Sequence, residues 1–290
     1  MPATPHLSSP LAKGKGNGEG HQREGLMHET DGAAGNWHVR LFKKSIAKQA
    51  KLGALLHFLP PCAGKVCLDL GGDNGIISYL LRQHGGTWHS ADLSEQAVEL
   101  IRALVHSNVH QTDGAALPFP DETFHVAVII DFLEHIKGDR RCIEELHRVM
   151  KPGGVLIINV PHLKKRSVVR RLRSLVGLTD EQHGHLRPGY TVQGLQALLE
   201  GRFAVKVACT YSRFFSELID IAISRGCAAS VPEGSRGGKG VLITGNQLAK
   251  REKQFRMYSL FYPFMWLVAR MDTLIFFTQG HRLIVRSVKV

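Results

Sequence analysis

Several features are scarce or missing in this 290-residue chain, and each absence removes a class of function. Five cysteines (Cys62, Cys67, Cys142, Cys209, Cys227) form no C-x-x-C pair. That excludes a disulfide framework or a zinc ribbon and leaves small core residues in a reducing compartment. The opening MPATPHLSSPLAKGKG holds no apolar run, so no secretory leader is expected and the chain reads as cytoplasmic. The aromatic-rich run between Arg256 and Arg270 has 13 uncharged residues, short of the roughly 18–20 that cross a bilayer. Phosphate-cradling motifs are absent too. No G-x-x-x-x-G-K-[ST] occurs, and G-x-G-x-x-G fails because Asp73 follows Gly71 by two and Ile76 takes the last position.

What is present is unevenly charged. The formal charge is +12, yet residues 61–160 hold 8 Lys/Arg against 13 Asp/Glu, or −5, so the remainder carries +17. An acidic centre with basic flanks points outward to something anionic, a membrane surface or a nucleic acid. Residues 1–35, rich in Gly, Ser, Pro and Lys, are expected to be a disordered tail.

Next comes a helix within 36–61, where Trp37, Val39, Phe42, Ile46, Leu52, Leu55 and Leu56 keep helical spacing until Pro60-Pro61. From 62 to 211, β-like runs (65–70, 87–92, 109–113, 124–131, 154–160, about 203–210) alternate with helical ones (75–83, 94–105, 139–150 and TVQGLQALLE, capped by Thr191). VAVII and VLIIN are apolar on both faces, as strands buried between helix layers are. The class expected is α/β, a Rossmann-like doubly wound, mostly parallel seven-stranded sheet with helices on both faces. Residues 281–290 supply its terminal strand, and 212–280 form a helical insertion before it, too long for an ordinary loop.

The stretch VCLDLGGDNGIISYLL, residues 66–81, sets the chemistry. Asp69 ends the strand and Asp73 lies in the turn, and two carboxylates attract a cation where they would repel a diphosphate. Asp92 ends the second strand 21 residues after Gly71, where a carboxylate can accept hydrogen bonds from ribose hydroxyls. Asp113 ends the third and can face an adenine edge. A cationic cofactor bearing ribose and adenine is S-adenosyl-L-methionine.

At these residues the chain resembles the class I S-adenosylmethionine-dependent methyltransferases, nearest in motif style to those of ubiquinone biosynthesis. The resemblance rests on four stretches in order: LDLGGDNG, SADLS, TDGAALPFPDETFHVAVIIDFLEHI and ELHRVMKPGGVLIINVP. It implies that Asp69 with Gly71, Gly72 and Gly75 holds the methionyl end, Asp92 with Leu93 the ribose, and Asp113 with Gly114 or Ala115 the adenine, with Asp131 also on the cofactor side. Asp73 departs from the family's second loop glycine, but Asp tolerates left-handed backbone, so the turn can survive.

Candidates for a proton acceptor follow strand four, at the sheet's carboxyl edge: Glu134 and His135, with His185 in the later loop. At residue level His135 is equally a general base or a histidine satisfied at a helix start. Asp131, Glu134 and His135 are similar in spacing to a metal motif of ubiquinone-biosynthesis O-methyltransferases and small-RNA 2′-O-methyltransferases. Metal-free relatives carry the same LEH, and no metal is assigned. His162, His183, Arg187 and Tyr190 fall where acceptor-facing lids occur. A [DNS]-P-P-[YF] motif is missing after strand four, which disfavours a base ring as acceptor.

LKKRSVVRRLRSL, 163–175, has six basic residues and no acid and reads as a basic amphipathic helix beside the acceptor entrance. Phe255, Tyr258, Phe261, Tyr262, Phe264 and Trp266, flanked by Lys250, Arg251, Lys253, Arg256 and Arg270, have the make-up of an interfacial segment. Residues 234–290 carry 10 Lys/Arg and 2 Asp/Glu, or +8. The expectation is a peripheral membrane enzyme methylating a small or lipid-like acceptor on an anionic surface. Nucleic acid is the less favoured partner. A buried lid or dimer contact, an RNA or protein methyltransferase, and a non-catalytic cofactor-binding or scaffold protein are the alternatives.

Overall fold

The computed structural model describes residues 39–40, 42–164, 167–178, 184–228 and 245–290. The expected tail over 1–35, Trp37, Lys165, Arg166 and His183 lie outside the described residues, as do the side chains of Cys227, Lys250, Arg251, Lys253 and Phe255.

Alternating elements build one seven-stranded sheet in the order β3-β2-β1-β4-β5-β7-β6. The strands are β1 (Val66–Leu70), β2 (Thr87–Asp92), β3 (Val109–Gln111), β4 (Phe124–Ile130), β5 (Met150–Pro161), β6 (Phe203–Tyr211) and β7 (Arg282–Lys289). Neighbours from β3 through β5 are parallel, while β7 runs antiparallel to both β5 and β6. That is the doubly wound class read from the alternation of runs.

Helices α1 (Ile46–Phe58), α2 (Ile76–Arg82), α3 (Glu95–Val105), α4 (Asp139–Val149), α5 (Val168–Leu175) and α6 (Val192–Leu199) follow the chain order around the sheet. On one face Ala54, Leu55 and Phe58 of α1 and Leu81 of α2 pack on Val126, Val128, Ile157 and Ile284. On the other, Ile143, Leu146 and Val149 of α4 and Leu195, Leu198 and Leu199 of α6 pack on Leu68, Ile129, Ile158 and Val285. Each such Leu, Ile, Val or Phe side chain contributes about 1.5–3 kcal/mol relative to exposure, so these two layers hold the sheet edge rigid where a site forms. Cys62, Cys67, Cys142 and Cys209 are buried and unpaired, as expected of core residues.

Three boundaries differ from the sequence reading. Ser45 breaks the N-terminal helix, because its side chain accepts from Lys48 N and caps a new start. Strand β3 stops at Gln111. Strand β5 begins four residues early, at Met150, since Gly153 at φ 73° lets Lys151–Gly154 bulge between the pairs Phe124–Met150 and Val126–Val155.

The insertion is helical, with α7 (Phe214–Ala228), α8 (Gly245–Arg270) and a 3-10 turn at Met271–Thr273. Among the described residues no helix is long and apolar enough to cross a membrane. Buried Asp272 joins the two ends of the insertion by accepting from the backbone N–H of Arg213, Phe215 and Ser216 at the start of α7, at 2.8–3.3 Å. Asp272→Ala is expected to lower the unfolding free energy by about 2 kcal/mol in urea titration and to raise amide exchange at 213–217, because three backbone donors at the start of α7 lose their acceptor.

Candidate functional site

A cavity of about 350 Å³ opens at the carboxyl edge of the sheet, where β1, β2, β4 and β5 end. Its floor is the loop Gly71–Asn74. Gly71 (φ 84°) has its N–H on Ala91 O at 3.0 Å, and a Cβ there would stand 2.2 Å from Ile130 O, so only glycine lets β1 turn away beside β4. Asp73 does adopt left-handed backbone, at φ 51°, and its N–H donates to Asp92 Oδ2 at 3.1 Å. The turn therefore survives the loss of the second glycine, and Asp92 braces it. The Asp92 carboxylate also takes Leu93 N–H at 2.7 Å, and both residues line the cavity.

Not every expected cofactor residue reaches the cavity. Asp69 is fully buried behind the loop, accepting from Ser78 Oγ (2.6 Å) and Ser90 Oγ (2.8 Å), with Arg82 at 3.5 Å. Burial pushes its carboxyl up, and Arg82 and the two hydroxyls partly offset that. It fastens α2 to β1 and does not line the cavity. Gly75 (φ 79°) is also outside the lining; a Cβ there would meet Ile101 Cα at 2.8 Å, so it permits the packing of α2 on α3. Asp113 turns its carboxylate back on Ala115 and Ala116 N–H, at 2.8 and 3.2 Å, and Gly114 sits against Phe132 and Ile136. Asp113, Gly114 and Ala115 are thus beside the cavity, not among its lining residues.

Past β4, Asp131 at φ 45° lines the cavity. Its carboxylate pairs with Lys51 of α1, accepts from Asn159 Nδ2 at 2.9 Å and lies 3.7 Å from Arg282. Glu134, His135 and His185 come together beside it, with ligand atoms all within 4.8 Å of one another. His135 Nδ1 lies 3.0 Å from Gly184 O, so Nδ1 carries the proton and Nε2 is the basic nitrogen. Chemically such a set can pass a proton or hold a divalent cation. His162 lines the wall, its Nδ1 donating to Gly280 O at 2.8 Å.

Arg187 and Tyr190 serve differently from the acceptor-facing role expected of them. Arg187 pairs with Asp139 and donates to Ile136 O (2.8 Å) and Lys137 O (3.0 Å), while Tyr190 donates to Asp139 at 2.9 Å. They staple the 184–190 loop to the start of α4, and this is what holds His185 against His135.

The remaining wall was not read from the sequence. Lys48 and Lys51, one turn apart on α1, point into the cavity, as do Glu217, Asp220 and Ser224 of α7, Arg173 of α5, Lys164, His281 and Arg282. Burial lowers Lys48, and Asp73 partly opposes it. Glu217 is raised by burial, against Arg282 and Arg173 at 3.9 and 4.0 Å. A signal existed for α7: FFSELIDIAIS places Glu217 and Asp220 three apart in an otherwise apolar helix, and acids in that setting need partners.

Residues 68–158 match the family described as a methyltransferase domain. A demethylmenaquinone methyltransferase from Clavibacter sepedonicus is 35% identical over 103 residues, 34% of this chain and 42% of that protein. A ubiquinone/menaquinone biosynthesis C-methyltransferase from Ruegeria sp. is 30% identical over 36% of this chain and 46% of its own. A tRNA (carboxymethyluridine(34)-5-O)-methyltransferase from Arabidopsis thaliana is 34% identical over 39% of this chain and 28% of its own. The chain thus spans under half the length of these curated relatives. In fold, the domain and its surroundings are similar to the [4+2]-cyclase SpnF, with a TM-score of 0.56 at 18% identity over 84% of this chain and 81% of that one. An S-adenosylmethionine dependent methyltransferase from Mesorhizobium loti gives a TM-score of 0.51 at 18% identity, covering 82% and 97%.

The wall of the cavity has a pH signature. His281 is pushed down to about 3 by burial and then by the cations Lys164, Arg173 and Arg282 and by His162. An unfolded His titrates near 6.5. Between those values the unfolded chain binds a proton that the folded chain refuses, so His281 makes stability fall as pH drops from about 6.5 towards about 3. The raised Glu217 acts in the opposite sense, favouring the fold at low pH. His281→Gln is expected to flatten part of the acid limb when urea midpoints are measured from pH 7 to 4.

Proposed function

We propose that this chain transfers a methyl group from S-adenosyl-L-methionine to a small or lipid-linked acceptor at a membrane surface. The observation that carries the cofactor reading is the loop Gly71–Asn74 braced by Asp92, with the Asp73 and Asp92 carboxylates at one end of the cavity. That donor set fits a ligand with a cationic centre and ribose hydroxyls, and Leu93 adds apolar surface beside it. Asp92 would hold the ribose and the Gly71–Asp73 loop the methionyl end, while Asp69 supports the loop from behind.

The bound sulfonium supplies an already activated methyl group. The chain's own task is then to align the acceptor atom, keep water out and remove a proton where the acceptor carries one. His135 is the base in this reading, since its Gly184 contact fixes the tautomer that leaves Nε2 basic; Glu134 and His185 flank it.

Support for the membrane surface comes from α8. Leu260, Phe264 and Leu267 are exposed at i, i+4 and i+7, one stripe of the helix, and Met271, Leu274, Phe276 and Phe277 continue it. Tyr258, by contrast, donates to Lys44 O at 2.6 Å, and Tyr262 lies under Lys44 Nζ at 4.7 Å, so the opposite side of α8 packs inward. A contiguous exposed apolar stripe on a basic segment fits the interface of an anionic bilayer. The tRNA-directed relative favours RNA as a second acceptor class, with α5 contributing Arg170 and Arg171.

Incubation with methyl-labelled cofactor and a total lysate, followed by phase partition, tests the acceptor: label is expected in the organic phase, and label confined to macromolecules would replace the lipid reading by the RNA one. Asp92→Ala is expected to weaken S-adenosylhomocysteine binding tenfold or more in calorimetry. His135→Ala should leave that affinity intact and cut transfer by about 10²–10⁴. Leu260→Glu combined with Phe264→Glu should abolish flotation with vesicles containing anionic lipid; unchanged flotation would remove the stripe from membrane contact.

A further inference from the structure

Where the cavity wall is built from β7, α5 and α7, most carboxylates and cations pair with one another. Asp131 takes Lys51 and Arg282, Glu217 takes Arg282 and Arg173, and Asp220 takes Arg173. Lys164 stands outside this set. Its ammonium donates to Gln279 O at 2.7 Å and lies 3.5 Å from His281 Nε2, and among the described residues it has no ion-pair partner. Glu217 acts on it only at longer range, and Arg213 opposes its charge.

The surroundings of Lys164 do not neutralise it. His162 spends Nδ1 on Gly280 O, and His281 is uncharged at neutral pH. Arg170, on the adjoining helix α5, lines the same cavity. The cavity is therefore divided: Asp73 and Asp92 face the end where a cationic cofactor fits, and the opposite edge carries Lys164, an ammonium with no carboxylate partner among the described residues. A chamber lined this way attracts a ligand of opposite sign.

We infer that the acceptor carries an anionic group, a phosphate or a carboxylate, that docks against Lys164 at the cavity edge formed by His162–Lys164 and Gln279–Arg282. This names the substrate class of the methyl-transfer site and rests on that reading. Anchoring by charge at this edge would fix one end of the acceptor while its reactive atom lies further in, near His135, which lines the same cavity. The same wall is continuous with the apolar stripe, for the backbone runs from Phe276 and Phe277 directly into Gln279. An amphiphile with a charged head and an apolar tail matches both surfaces at once.

The test is equilibrium binding of two small anions, phenyl phosphate and benzoate, to the full chain saturated with S-adenosylhomocysteine, at constant ionic strength. At least one is expected to bind, and the stronger of the two identifies the group on the acceptor. Lys164→Ala should weaken it tenfold or more and Lys164→Arg less than threefold, with S-adenosylhomocysteine affinity unchanged in both. Should the alanine variant fail to fold, Lys164→Gln carries the same comparison. Absence of binding by both anions, or binding indifferent to Lys164, overturns the inference. A chain that binds neither S-adenosylhomocysteine nor S-adenosylmethionine would strike the methyl-transfer reading instead, and that result is read separately from the anion titrations.

Discussion

The carboxylate of Asp131 is the point on which the functional end of this molecule depends. It lies just past β4, in left-handed backbone that costs a non-glycine residue on the order of 1 kcal/mol. What holds it there is a set of partners from separate parts of the chain: Lys51 from α1, Asn159 from β5 and Arg282 from β7. Burial opposes the charge on Arg282, yet Asp131 and Glu217 outweigh burial and keep the guanidinium protonated. Removing one partner of such a set leaves the others poorly solvated, which is why the loss of a single member costs more than the pair contributes. The N-terminal helix and the insertion thereby become parts of the cavity wall.

Most of the fold was legible because it depends on pattern. Strands apolar on both faces, such as VAVII and VLIIN, can only lie between helix layers, and the order of runs dictated the sheet. The misplaced boundaries have local causes that composition hides. Lys-Pro-Gly-Gly falls between the expected helix and strand, but β5 absorbs it as a bulge, because Met150 can still pair with Phe124 across it. Ser45 looks like an ordinary polar position of a helix until its hydroxyl is seen to cap a fresh start.

The site was legible along the core strands and obscure away from them. Asp92, Asp131, Gly71 and His135 were expected at the site because strand ends at the carboxyl edge are where ligands bind, and all four line the cavity. Asp69 illustrates the limit. Its place at the end of β1 marks it as a ligand residue, but one peptide's difference in facing decides whether a carboxylate meets the cavity or the core. Its hydroxyl partners, Ser78 and Ser90, lie 9 and 21 residues on and look unrelated in sequence. Lys48, Lys51, Glu217 and Arg282 were missed for the converse reason. A charged residue on a flanking helix or strand reads as solvated, and only the tertiary fold turns it inward.

The two helices of the insertion face different ways. Helix α7 faces inward and supplies Glu217 and Asp220, which hold Arg282 and Arg173 in place, so it forms part of the cavity wall. Helix α8 turns its apolar stripe outward. Asp272 ties the end of the second helix to the beginning of the first through three backbone amides, so the stripe and that part of the wall share a fixed joint. A surface that engages the stripe is therefore connected through a few rigid contacts to the acids that set the charge of the cavity wall. That arrangement explains why the insertion sits immediately before β7: the chain leaves the stripe at Phe277 and reaches His281 and Arg282 within a few residues, with Lys164 held on Gln279 between them.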